Sequence, residues 1–108
     1  MNSRLELDDV LAQIIDLTES DGDRHIYFNP PPSVKMRYPA IKYSLNNIGM
    51  TFADNGVYRT TPSYEVILID EDPDTIYLEK ILQLPYCRFN RFYRASNLNH
   101  WVFTIYNH

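Results

Sequence analysis

Tyr86-Cys-Arg-Phe-Asn-Arg-Phe-Tyr-Arg-Ala-Ser-Asn-Leu-Asn-His-Trp-Val-Phe-Thr-Ile-Tyr106 reads as two aromatic, alternating strands joined by a short polar turn. Arginines stud the first strand, and the sequence stops almost as soon as the second ends. A hairpin in that position is expected to complete a sheet. The run holds no recognisable reacting group, so the sheet is expected to hold or present surface.

The stretch before the hairpin supplies the sheet's centre. Ser63-Tyr-Glu-Val-Ile-Leu-Ile69 is apolar on both faces over its second half, the pattern of a central strand. Asp70-Glu-Asp-Pro-Asp74 follows, and Pro73 suits the first turn of a helix that should run to Leu84 and stop at Pro85. Ile76, Tyr77, Lys80, Ile81 and Leu84 share one face of it.

Further out, Asn55-Gly56 predicts a two-residue hairpin turn, with Thr51–Ala53 and Val57–Arg59 as its arms. Tyr38–Leu45 alternates, with Ile41, Tyr43 and Leu45 on one face and Lys42 and Ser44 on the other. Pro39 belongs at its start or on an edge. His25–Phe28 is a short strand, closed by Asn29 and three successive prolines that cannot donate to a ladder, so 29–37 should be a stiff extended arm. Ser3-Arg-Leu-Glu6 has the form of a capping box. The helix after it should turn Leu7, Val10, Leu11, Ile14 and Leu17 inward, keep Asp8, Asp9, Asp16 and Glu19 off that face, and end at Ser20–Asp23. The expected fold is α+β: a two-layer sandwich of a mainly antiparallel sheet with two helices on one face, one domain over residues 1–108.

The net charge of −4 hides a segregated distribution. Residues 1–23 carry seven acids and one Arg, 24–64 five bases and one acid, 65–84 six acids and one Lys, and the remainder three arginines. Acid therefore gathers on the helical stretches and base on the strands, a pattern that can orient subunits and that argues against tight nucleic-acid binding. Nine tyrosines suit strands and half-wet contact surfaces. The single Cys87 has no internal disulfide partner and reads as packing in a reducing compartment. Neither a leader-like N-terminus nor an apolar run of membrane-spanning length is visible, so a soluble protein is expected.

No catalytic constellation, cofactor motif or metal-ligand spacing emerges. His25, His100 and His108 are scattered, and Asp70, Glu71, Asp72 and Asp74 lack the glycine and terminal glutamate of a calcium loop. His100 reads as a hydrogen-bonding group at a strand start.

Several of these segments resemble the tail terminator (tail completion) proteins of long-tailed bacteriophages. They are Tyr27-Phe-Asn-Pro-Pro-Pro32, Tyr38-Pro-Ala-Ile-Lys-Tyr43, Tyr64-Glu-Val-Ile-Leu-Ile-Asp70 followed by Asp72-Pro-Asp74 and a helix, and the Asn90–Tyr106 pattern. The resemblance spans nearly the whole chain as element order and loose wording. It implies a non-enzymatic virion protein made in the host cytoplasm, forming a ring, usually a hexamer. Such a ring caps the tail tube, ends its polymerisation and joins the tail to a head-side connector protein, with DNA passing transiently through the channel and no membrane involved. Under it, the flap 46–61 and the arm 29–37 are expected to touch neighbouring subunits or the tube through Val34, Met36, Ile48, Met50, Val57 and Tyr58. Asp70, Glu71, Asp72 and Asp74 are expected to face the channel or a basic neighbour. A head-closure adaptor and a small enzyme or binding module are the alternatives.

Overall fold

The computed structural model describes residues 4–19, 24–53 and 56–106, without the side chains of 16–19, 51–53 and 57–60. The elements are α1 (Arg4–Glu19), β1 (Ile26–Phe28), β2 (Ala40–Ala53), β3 (Gly56–Asp70), α2 (Tyr77–Leu82), β4 (Cys87–Ala95) and β5 (Leu98–Tyr106). One five-stranded sheet has the order β1-β2-β3-β5-β4, antiparallel except for the β1–β2 pair. Both helices contribute to one buried cluster on one face, so the expected α+β sandwich is the fold.

The apolar run of β3 explains its central place. Val66 and Leu68 face the helices and Ile67 and Ile69 face the other way, all buried. Against the helix-side row pack Ile41 and Tyr43 of β2, Trp101, Phe103 and Ile105 of β5, Leu7, Leu11 and Ile15 of α1, and Tyr77 and Ile81 of α2. Each large side chain buried in this way contributes about 1.5–3 kcal/mol relative to exposure. The buried stripe of α1 is Leu7–Leu11–Ile15, an i, i+4, i+8 row, while Val10 and Ile14 flank it half-buried. The expected face was therefore rotated slightly. Two adjacent isoleucines leave the phase open in the sequence, and the packing picks the second. Ser3 of the expected capping box, Leu17's side chain and the 20–23 stop lie outside the described residues.

The second helix is shorter than expected, Tyr77–Leu82 instead of Pro73–Leu84. The acidic residues consume its first turn. Asp70 Oδ1 accepts the Asp72 amide (3.0 Å), Asp72 Oδ1 accepts the Asp74 amide (2.9 Å), and Thr75 Oγ1 accepts the Tyr77 amide (3.3 Å). Short polar side chains that bond their own backbone compete with helix formation in this way. Ile76 is exposed, outside the face assigned to it.

The arm after β1 crosses the sheet face that the helices leave open. The Arg37 amide donates to Tyr27 Oη (2.9 Å), His25 Nδ1 lies 2.8 Å from the Pro39 carbonyl oxygen, and Met36 packs against Ile67, Ile69 and Val102. Pro39 sits immediately before β2, as expected. Ser96 and Asn97, both at positive φ, form the β4–β5 turn, the left-handed geometry that matches strand twist in tight hairpins.

Candidate interaction surfaces

Strands β2 and β3 are much longer than β5, and their length creates the most distinctive surface. β5 reaches only Ser63 of β3, and β1 reaches only Tyr43 of β2. Beyond that level, among the described residues, β2 and β3 pair only with each other, out to Ala53 opposite Gly56. The expected short flap is thus the outer half of two continuous strands, a ribbon running past the helix-covered body. It accounts for the elongated shape, 50 × 29 × 27 Å. Gly56, expected in the turn, pairs with Ala53 in the ladder, and Asn55 of the expected turn lies outside the described residues.

A register shift between Leu45 and Asn47 decides which side chains this ribbon presents. Asn46 is the extra residue. Before it the helix-side positions of β2 are odd-numbered, and after it they are even-numbered, because a bulge inverts the alternation. Leu45, Ile48 and Met50 therefore fall on one face, the face that carries the helices farther in. They are 50, 48 and 51% exposed, since no helix reaches them.

The opposite edge of the sheet repeats the device. Between Phe89 and Arg91 the β4–β5 register also shifts, with Asn90 as the extra residue and its Nδ2 donating to Thr104 Oγ1 (2.6 Å). Phe89 opposite Phe103 and Phe92 opposite Trp101 consequently share the helix-side face, each in edge-on ring contact with its partner. Arg88 and Arg91 both fall on the other face. Because α2 is short, Phe89 and Phe92 remain 44 and 46% exposed. With Leu78, Leu82 and Trp101 they line an apolar groove of about 260 Å³ beside the free edge of β4.

The acidic loop lies at the end of β3 away from the ribbon. Asp70 is buried and bonded into the loop's own backbone, and Asn99 Nδ2 donates to the Asp70 and Glu71 carbonyls (3.2 Å each). Glu71, Asp72 and Asp74 are exposed. The expected acidic patch therefore consists of three residues, with Asp70 as its anchor. Of the expected contact residues, Val34 is exposed in the arm, while Met36 is half-buried against its own sheet rather than an isolated tip. Ile48 and Met50 are exposed together on the ribbon. Val57 and Tyr58 sit in β3, with side chains outside those described.

The titratable groups are held by ordinary packing. Burial, then the hydrogen bond to Asp8, pushes the Tyr43 hydroxyl up to about 12. That hydroxyl donates to Asp8 Oδ2 (2.6 Å), whose other oxygen pairs with Arg24, while Arg4 stacks on Phe28. Burial pushes the Cys87 thiol up to about 11, which suits packing rather than nucleophilic attack. His100 stacks on Tyr93 and bonds the Leu98 carbonyl, and burial lowers its pKa. Among the described residues no three His, Cys, Asp or Glu side chains converge as metal ligands, and no helix is long and apolar enough to cross a membrane. The chain matches no family model, no curated protein and no solved structure.

The sequence analysis missed the β4 groove. Its signal was present in the i, i+3 spacing of Phe89 and Phe92 inside a strand, which repeats in Leu45 and Ile48. In a period-two element that spacing puts two apolar residues on one face only across a bulge.

Proposed function

We propose that this chain is a structural virion protein of the tail terminator kind. It forms a ring on the head-proximal end of a phage tail tube, stops tube growth and offers its other side to the connector, while DNA passes through. The observation that carries the proposal is the β2–β3 ribbon, which extends Leu45, Ile48 and Met50 beyond the body that buries the core. A small domain gains nothing internally from such an extension, whereas an exposed apolar stripe with free strand edges is suited to a neighbour. Segregated charge adds support, since head-to-tail contacts require two different complementary patches on each subunit. Exposed Glu71, Asp72 and Asp74 suit a surface that DNA slides past without sticking.

The test is a particle made without this protein. Electron microscopy should then show overlong, headless tails, and labelled protein should bind the head-proximal tail tip. Normal virions in its absence would refute the proposal. Heads sealed on portals but unjoined to tails of normal length would indicate a head-closure adaptor instead.

A further inference from the structure

We infer that the occupant of the Phe89–Phe92 groove and the β4 edge is the β2–β3 ribbon of a second copy of this chain. The inference rests on the proposed ring and names the surfaces that would close it.

Both surfaces are free strand edges with apolar side chains on the same face of the sheet. β4 offers nine residues, Cys87–Ala95, and the part of β2 beyond β1 offers ten, Ser44–Ala53. Their directions agree. β2 and β5 run one way, β3 and β4 the other, so two copies placed with their sheets oriented alike bring β4 against the next β2 as an antiparallel pair. The helix-side faces then continue into each other. Phe89 and Phe92 of one copy adjoin Leu45, Ile48 and Met50 of the next, and the groove between α2 and β4 receives that stripe. The two bulges matter because each places its apolar residues on this shared face.

Charge selects a head-to-tail contact over a symmetric one. Residues 85–106 carry Arg88, Arg91 and Arg94 and no acid. The strand that β4 meets in the next copy, Leu45–Ala53 of β2, carries no charged residue. Pairing β4 with β4 would set three arginines against three, whereas pairing β4 with the ribbon of the next copy sets them against an uncharged strand. Because β4 flanks the inner sheet and the ribbon extends past it, successive copies step along the strands, as they do in a closed ring of tilted strands.

Two variants, each damaging one surface, test this by mixing. Ile48→Glu with Met50→Glu disables the ribbon and leaves the groove, and Phe92→Glu does the reverse, with Leu82→Glu as a second groove variant should Phe92→Glu fail to fold. Unchanged far-ultraviolet circular dichroism certifies each. In sedimentation velocity the wild type should associate with concentration, and each variant alone should associate at least tenfold more weakly. An equimolar mixture should give a 1:1 heterodimer and nothing larger, because one intact ribbon meets one intact groove. A mixture that stays monomeric, or a variant that assembles like wild type, overturns the inference. So does a wild type that remains monomeric up to about 1 mM, where any usable self-affinity is exhausted. Headless tails in the particle test would still uphold the proposed function in each of these cases.

Discussion

The inner and outer halves of the β2–β3 hairpin belong to the same two strands yet have opposite surroundings. From Ala40 to Tyr43, and from Ser63 to Ile69, the strands are flanked by β1 and β5, roofed by two helices, and almost without exposed apolar surface. From Leu45 outward the strands have neither flank nor roof among the described residues, and Leu45, Ile48 and Met50 are half exposed. The contrast separates two roles along one continuous ladder. The inner half supplies cohesion, and under the proposed function the outer half supplies adhesive surface. Substitutions should therefore divide by position: inner ones should lower stability, outer ones should change association.

The largest effect is expected for Phe103→Ala, which empties the centre of the helix-side core. It should cost about 3–5 kcal/mol, read as a fall in the urea midpoint. A loss below about 1 kcal/mol would mean that the core packed around the inner half is not where stability resides. Tyr43→Phe is a finer probe, because it removes the hydroxyl that bonds Asp8 while the ring keeps its packing. A loss of about 1 kcal/mol is expected, since Asp8 keeps Arg24 as a partner.

Alkaline pH should act on the same packed body. Cys87 is raised to about 11 and Tyr43 to about 12, so the fold holds both protons more tightly than the unfolded chain. Below about 9 both groups are neutral in either state and this contribution is complete. As pH rises through 9 to 12 the unfolded chain ionises first and stability falls. Urea midpoints at pH 8 and 10.5 should differ in that sense, and by less in Tyr43→Phe. An unchanged midpoint would show that the two groups are not sequestered. The smallest stability effect belongs to the outer half. Ile48→Ser should move the midpoint by no more than about 0.5 kcal/mol while weakening association or tube binding. A large destabilisation there would dissolve the distinction between the halves.

Much of the inner half was legible in the sequence because it obeys simple periods. The two-faced apolar run of β3 announced a central strand, and the alternation of Tyr38–Leu45 assigned the faces of β2 correctly. The outer half was legible only as a short flap, because Asn46, Asn47, Thr51, Thr60 and Thr61 resemble loop residues and conceal a ladder. Neither bulge could be placed without knowing the partner register. That is why Leu45, Ile48 and Met50 were not seen as one stripe, nor Phe89 and Phe92 as a groove wall. The length of α2 was misjudged for a related reason. Asp70, Asp72 and Thr75 are as competent to bond local amides in turns as to open a helix, and here they do the former.

The division between cohesion and adhesion is tested most directly by removing the ribbon and keeping the body. Residues 47–62 would be replaced by an Asn-Gly turn that closes the hairpin at the level of Leu45 and Tyr64, and the product assayed for thermal unfolding and for binding to isolated tail tubes. A cooperative transition within a few degrees of the full chain is expected, together with a loss of both self-association and tube binding. A shortened protein that no longer folds, or one that assembles and caps tubes as before, would contradict that division.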